Sequence, residues 1–349
     1  MPSPSPRVTV GMAVYGGEAH IAAAIRSVLA QDYEDWELLL INDCSPDNSV
    51  SIIETFEDRR IRLLHNEANQ GLVAVRNRIL HEAHGEFVAW LDQDDLAAPR
   101  RLSTQVAYLD THAEISACGS ITKMLLHTDG HSDSMATSLL PLRHRDIRAA
   151  LPFINPMACN TVTMRIVDFQ EAGLSFRSAF GNSLDYDLWS LASDELLLAN
   201  LPEPLGTYRI HAGQTSQGAA LAVMNTHAMR VRSELIGRSL GIAMSDEQEF
   251  LHRSATIAPV DVADVDRVRA IAEWFALLRR TNSAERAFDQ RSFDEALTRQ
   301  WITVVRAARS TIGPGRAARA LLEGGVAIGP RFSAAATSVL RGAQRRAAK

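Results

Sequence analysis

The chain is 349 residues long, 46% apolar and 22% charged, with a formal net charge of −5. Such a length holds one large domain and a smaller one, with ample core. The balance of charge implies neither nucleic acid nor a membrane surface as partner, and no run of about 18 apolar residues is present to cross a bilayer.

Residues 1–6 are rich in Pro and Ser and read as a flexible leader; no apolar run follows a basic start, so they do not read as a signal peptide. The β-branched run "RVTVGMAV" (7–14), bounded by Pro6 and by Gly16-Gly17, predicts a strand. Residues 18–31 place Ile21, Ile25, Val28 and Leu29 at helical spacing. "WELLLIN" (36–42) is a continuous apolar run, the pattern of a strand covered on both faces. A helix over 47–57, a strand over 60–65 and a helix from Asn69 or Gln70 to Ala83 follow, the last ended by Gly85. "EFVAWL" (86–91) is the fourth strand. Strand–helix alternation with short connections predicts an α/β fold with a parallel, doubly wound sheet, whose ligands lie at the carboxyl ends of the strands.

Three of those strand ends carry polar groups: Tyr15, then Asn42-Asp43, then Asp92, Asp94 and Asp95. Carboxylates so close repel by about 1 kcal/mol per pair at 4 Å in water, and by more at lower dielectric. A divalent cation is the expected compensation, because Mg²⁺ and Mn²⁺ are held by one or two carboxylates together with phosphate oxygens and water. Positions i and i+2 of an extended chain point the same way, so Asp92 and Asp94 can face one ligand. Asp95 either joins them or only favours the start of the next helix. A calcium loop is excluded by Ala97 and Ser103 at its sixth and twelfth positions.

Pro99 starts a predicted helix to Thr111. Strands over 115–119 and 121–127 meet a turn at Asp129-Gly130, and strands over 159–165 and 204–210 surround a helix over 184–200. From about 216 the chain reads as helical and rich in Ala and Arg, without an internal repeat. Residues 300–349 carry nine Arg and Lys against Glu323, a charge of +8 that leaves −13 on the rest. Trp301, Ile302, Val305 and Ile312 alternate there with Arg306 and Arg309. Such a helix either makes peripheral contact with an anionic membrane or caps a core with a solvated basic face. Cys44, Cys118 and Cys159 have no paired or metal-type spacing, which reads as free thiols in a reducing, cytoplasmic setting.

The order and wording of these segments resemble glycosyltransferase family 2, the inverting enzymes of the GT-A fold. The resemblance is carried by "RVTVGMAVYGGEAHIAAAIRSVLAQDYEDWELLLINDCSPDNS", "NQGLVAVRN", "GEFVAWLDQDDLAAPRRLSTQ", "DYDLW" and "YRIHAGQTS". It implies a Rossmann-like, mostly parallel central sheet flanked by helices over 7–217, with a nucleotide-binding half to about 112 and an acceptor half from 113. A helical region with a basic tail then occupies 218–349. It also implies transfer of one sugar from a nucleotide diphosphate sugar, a UDP-sugar by first choice, with Mn²⁺ or Mg²⁺. The acceptor hydroxyl would belong to a glycan or lipid-linked molecule of cell-surface glycan or polysaccharide synthesis, met in the cytoplasm or at the inner face of the membrane.

By the same resemblance Ala13 and Tyr15 lie along the nucleoside, Asp43 accepts from the base, Asp92 is nearer the ribose and Asp94 is the direct metal ligand. Arg76, at the edge of the apolar stripe Leu72, Val75, Ile79 and Leu80, reaches the nucleotide or a crevice carboxylate. Arg209 meets phosphate charge, and His211 lies near the diphosphate or metal, which a neutral imidazole can ligate. Asp185 is the catalytic base that takes the acceptor's proton. Structural alternatives stand beside these roles. Asp43 suits a turn, Asp185 suits a first helical turn and competes with Asp187, Tyr15 and Trp189 suit a core, and Asn69 and Gly71 suit a helix cap. The chain departs from the family with Gly16 for Asn, Asn42-Asp43 for a double Asp, and Leu184 for an acid. The signature Gln-x-x-Arg-Trp is absent, which argues for single additions. The incomplete acidic pair at Leu184-Asp185 motivates a second reading, a sugar-nucleotide-binding protein without transfer activity.

Overall fold

Apolar runs and helical stripes at the front of the chain become β1 (Val8–Val14), α1 (Ile21–Leu29), β2 (Trp36–Asn42), α2 (Ser49–Ile53), β3 (Ile61–His65), α3 (Leu72–Glu82) and β4 (Phe87–Trp90). The computed structural model describes residues 5–128, 131–137, 140–211, 214, 218–257, 264–313, 315–317 and 319. β1 pairs in parallel with β2 and β4, and β2 with β3. Every residue of β2 is buried, as its unbroken apolar run predicts. Val8, Val10 and Met12 pack with Leu38 and Leu40, with Ile21 and Ile25 of α1, and with Leu102 and Val106 further along.

The sheet continues through β5 (Leu96–Ala97), α4 (Arg101–Thr111), β6 (Ile115–Thr128), β7 (His131–Thr137), α5 (His144–Ala150), β8 (Thr163–Arg165), α6 (Ile166–Glu171), α7 (Leu184–Glu195) and β9 (Leu197–Ile210). Strand order is β3-β2-β1-β4-β8-β6-β9-β5, with β7 hydrogen-bonded to β6. The sheet is mixed, since β8 runs antiparallel to both β4 and β6 while β9 runs parallel to β6. β5 lies antiparallel to β9, with Leu96 opposite Thr207 and Ala97 opposite Gly206. That short pairing brings residues 208–211 alongside the Asp92–Asp95 turn.

Several elements differ from expectation: the helix read over 47–57 is only Ser49–Ile53, and β5, α5 and α6 were not foreseen. The two strands read over 115–127 are one long strand, β6, and the turn at Asp129-Gly130 lies outside the described residues. The run 159–165 opens with a 3-10 turn, Cys159–Thr161, before β8. The helix expected over 184–200 stops at Glu195, and β9 begins two residues later. Leu198, Ala199 and Leu201 are buried there beside β6, so strand pairing overrides helical spacing. Pro202 is tolerated because the register steps from Ser120 opposite Leu201 to Ile121 opposite Pro204, bulging β9 between them.

The chain divides into two compact units, Met1–Ile147 with Pro156–Ala228, and Arg148–Asn155 with Met229–Lys349. The division therefore falls inside α8 (Gly218–Leu240), some way past the boundary expected near 217, because that helix runs unbroken across it. The second unit contains α9 (Asp246–Thr256), α10 (Val265–Glu285) and α11 (Gln290–Ile312). Ser245 and Gln248 form a capping box on α9, and Asp264 and Asp289 cap α10 and α11. Its core holds Phe153, Trp274, Phe275, Phe293, Trp301 and Val305. Trp301, Val305 and Ile312 thus spend their apolar face on this core, while Arg306 and Arg309 stand outside. The alternative of an apolar face laid on a membrane gives way to a core cap; the basic residues beyond 319 lie outside the described residues. No helix among the described residues is long and apolar enough to cross a membrane.

Candidate active site

The carboxyl ends of β1 and β2 are stitched to each other. Gly16 and Gly17 N–H donate to Ser45 Oγ and Ser49 Oγ at 2.8 and 2.9 Å, and Glu18 N–H donates to Asp47 at 2.9 Å. Glu18 returns the bond, accepting from the backbone and side chain of Asn48 at 3.0 Å. Burial pushes the Asp47 carboxyl up, but bonds from Ser45, Ser49 and these backbone N–H groups outweigh it and hold the pKa at about 2. Most of the segment "NDCSPDNS" therefore serves to brace the loop after β1. Gly16 has φ +67°, a left-handed conformation that Gly adopts freely and Asn more readily than most, which accounts for the one standing where the family has the other.

Gln93 pairs with that loop from the other side: Tyr15 N–H donates to Oε1 at 3.0 Å, and Nε2 donates to Tyr15 O at 2.8 Å. A Cβ on Gly17 would lie 2.4 Å from the same Oε1, so a larger residue there would displace the Gln93 side chain. Tyr15 is 52% exposed and is not core, and Ala13 is partly exposed beside it.

Asp43 is only 3% exposed. Its carboxylate accepts from Asn66 Nδ2 at 2.6 Å and from Gln70 and Gly71 N–H at 2.9 and 2.8 Å. Most of its acceptor capacity is taken by protein. In this geometry the Asp43 carboxylate fastens the loop leading into α3. Gly71 does cap that helix, with φ +83°, while Asn69 donates to Asp43 O at 3.3 Å.

The three carboxylates of the Asp92–Asp95 turn have three separate partners. Asp92 Oδ1 accepts from Arg76 Nη2 at 2.8 Å. Asp94 Oδ2 is 3.0 Å from His211 Nε2, and Asp94 O accepts from Arg209 Nε at 2.9 Å. Asp95 is fully buried, accepting from Asn160 Nδ2 at 2.5 Å and Arg209 N–H at 2.9 Å. Burial, then Asp92 and Asp94, raise the pKa of Asp95 well above the usual range. Asp92 is raised as well, by burial and by Asp94 and Asp185, against the pull of Arg76. Arg76 is itself buried; burial disfavours its charge, but Cys159, Asp92 and Asp185 outweigh that and raise its pKa. Arg76 therefore serves the crevice carboxylate, the second of its two expected targets.

Asp185 opens α7 and is partly exposed, and its charge acts on Arg76, Asp92 and Cys159. Asp187, its competitor, is 1% exposed and held bidentate by Arg177, with Nε at 2.8 Å from Oδ2. Asp185 is thus the partly exposed acid of the pair, and Asp187 the buried one. Trp189 is buried edge-to-face with Phe169, 6.2 Å between centroids, and is core. Leu184 is also buried, so the family's acid at that position is replaced here by a packing residue.

Asp94 and His211 are the side chains suited to a cation. No group of three or more His, Cys, Asp or Glu among the described residues stands ready to hold an ion. Two such donors would suit Mn²⁺ or Mg²⁺, ions usually held by one or two protein ligands together with phosphate oxygens and water. Sequence reasoning missed several neighbours. The His20 ring lies 4.6 Å from that of His211, and Gln93, Cys159 and Asn160 touch the site residues directly. Arg101 binds the carbonyls of Asn160 and Trp90 at 2.7 and 2.8 Å. His20, Gln93 and Arg101 stood within the matched runs, whereas Cys159 and Asn160 did not.

The acidic turn thus lies at the strand ends of a mixed, Rossmann-like sheet. The family model for Glycosyl transferase family 2 matches residues 9–171. An uncharacterized glycosyltransferase of Haemophilus influenzae is 35% identical over 218 residues, 60% of this chain and 68% of its own length. The chain belongs to glycosyltransferase family 2. Two Escherichia coli relatives match over shorter spans. A putative colanic acid biosynthesis glycosyl transferase, WcaA, is 36% identical over 118 residues, 32% of this chain and 42% of its own. The β-1,3-glucosyltransferase WfgD, named for UDP-Glc and α-D-GlcNAc-diphosphoundecaprenol, is 41% identical over 102 residues, 29% of this chain and 40% of its own. The chain thus spans under half the length of both. Residues 1–349 of Staphylococcus aureus TarS, solved with UDP-GlcNAc, superpose with a TM-score of 0.56 at 17% identity, covering 87% of this chain and 90% of that one, and share the fold.

Proposed function

We propose that this glycosyltransferase is inverting and non-processive, moving one sugar from a UDP-sugar to a hydroxyl of a lipid-linked or glycan acceptor in cell-surface glycan synthesis. The observation that carries the reading is Asp185, a partly exposed acid in the first turn of α7, while its neighbour Asp187 is buried and paired with Arg177. The donor reading is supported by the UDP-GlcNAc named in the TarS complex, and the acceptor reading by the diphosphoundecaprenol named for the Escherichia coli relative.

In this scheme Tyr15 and Ala13 take the nucleoside and Asp43 keeps their wall closed. Asp94 and His211 would hold Mn²⁺ or Mg²⁺, which when bound neutralises charge on the diphosphate. Arg209 holds the carbonyl of Asp94 and adds positive charge beside it. Asp185 accepts the proton of the acceptor hydroxyl as its oxygen bonds to the anomeric carbon and the bond from that carbon to the diphosphate breaks. The opposite face of attack inverts the centre.

A thermal-shift screen of UDP-, GDP- and TDP-sugars with and without Mn²⁺ tests it. Stabilisation by UDP-sugar with Mn²⁺ is expected, abolished by Asp94→Ala and retained in Asp185→Ala. Metal-independent stabilisation of Asp94→Ala would count against the assignment. The buried Leu184 favours one alternative, donor binding without transfer; binding with no turnover on any lipid-diphosphate acceptor or water would establish it.

A further inference from the structure

Three carboxylates in one turn require three compensations, and the 3-10 turn Cys159–Thr161 acts on two, on Asp95 through Asn160 and on Asp92 by way of Arg76. Cys159 Sγ accepts from Arg76 Nη1 at 2.7 Å, while Nη2 of the same guanidinium donates to Asp92 at 2.8 Å. Arg76 is enclosed by the rings of Trp90 and Phe176, with centroids 5.5 and 5.6 Å away, so the thiol and the carboxylate set which way its fork points. The next residue, Asn160, donates to Asp95 Oδ2 at 2.5 Å. Asp95 in turn takes Arg209 N–H on its other oxygen, and Arg209 Nε takes the carbonyl of Asp94. The turn is itself fixed: Arg101 Nη1 donates to Asn160 O at 2.7 Å, and Gln105 Nε2 donates to Thr161 O at 2.7 Å. Cys159, Asn160, Arg101 and Gln105 are all buried.

We propose that Cys159 and Asn160 are positioning residues of the donor site: Cys159 aims Arg76 at Asp92, and Asn160 locks Asp95, so that Asp94 is presented with His211. The assignment rests on the reading that Asp94 and His211 take the cation of a metal–nucleotide donor. The thiol acts as a hydrogen-bond acceptor for a guanidinium, and no covalent chemistry is asked of it. Losing the acceptor leaves a buried charged donor without one of its bonds, and losing the Asn160 amide removes a bond to a buried carboxylate. Such losses change affinity by about tenfold or more.

The test is calorimetric titration of UDP into the full chain with MnCl₂, and of MnCl₂ at fixed UDP, for the wild type, Asp94→Ala, Cys159→Ala, Cys159→Ser and Asn160→Ala, with melting curves for each. UDP binding that depends on Mn²⁺ and is lost in Asp94→Ala establishes the underlying reading; its failure overturns that reading instead. With it in place, Cys159→Ala and Asn160→Ala should weaken UDP–Mn²⁺ binding about tenfold and raise the Mn²⁺ needed for half-saturation. Cys159→Ser keeps an acceptor and should stay within about threefold of the wild type. Wild-type affinity in both alanine variants, or an equal loss in Cys159→Ser and Cys159→Ala, would overturn the proposal. Cys159→Val, which fills the space without a comparable acceptor, replaces the alanine form if that form does not fold.

Discussion

Two acids two positions apart on α7 have opposite fates. Asp187 is buried against a bidentate Arg177, whereas Asp185 is partly exposed. Their substitutions should separate rate from stability. Asp185→Asn should lower kcat by about 10²–10⁴-fold, the usual contribution of a positioned base. Its affinity for UDP–Mn²⁺ and its unfolding midpoint should stay near the wild type. Arg177→Ala removes the main cation from a buried carboxylate and should destabilise by about 3 kcal/mol in urea titrations. If Asp185→Asn retained full turnover while Arg177→Ala abolished it without loss of stability, the roles assigned to the two acids would have to be exchanged.

At the scale of elements, α4 is the backing of the site. Arg101 reaches the carbonyls of Trp90, Asn160 and Val162 and the side chain of Gln105. Burial lowers its pKa to about 10, so it remains a cation at neutral pH. Arg101→Lys should fail to replace it, because a single ammonium cannot span these carbonyls as a planar fork does. A loss of about 2 kcal/mol or more by urea denaturation is expected, together with weaker UDP–Mn²⁺ binding. This network also marks the limit of what could be read in advance. β1 to β4 were legible within a residue or two because period and composition are local properties. The pairing of Asp94 with His211 came from family resemblance, and the structure supplies its distance. His20 and Gln93 lay within matched runs but with no role to read, and Cys159 and Asn160 carried no signal, because each meets a partner far away in sequence that only the β1–β4 and β5–β9 pairings and the 3-10 turn bring close. The overrun of the α7 helix has the same cause: residues 197–200 are apolar enough to continue a helix, and pairing with β6 makes them strand.

For the whole molecule, two separate cores imply two cooperative unfolding events that respond to different conditions. The second core contains a probe of its own. His252 is buried, accepts from Trp274 Nε1 on Nδ1 at 3.2 Å, and has Nε2 2.8 Å from Pro152 O. Both ring nitrogens are thus used by the neutral form, with Nε2–H donating. Burial, helped by the charge of Arg232 and opposed by the Pro152 bond, lowers its pKa to about 3. The unfolded ring titrates near 6.5. Between those values the unfolded chain binds one proton more than the folded chain, so stability falls as pH falls from about 6.5 towards 3. The slope is about 1.4 kcal/mol per pH unit, which makes a loss of about 2 kcal/mol at pH 5. Scanning calorimetry at pH 7.5 and 5.0 should therefore show the transition that Trp301→Ala lowers moving down with acid. His252→Gln, which can still accept from Trp274 and donate to Pro152, should flatten that movement. UDP–Mn²⁺ should raise the other transition, by about 2.7 kcal/mol at a hundredfold excess over its Kd. One indivisible transition, moved alike by acid and by nucleotide, would mean that the two cores unfold as one.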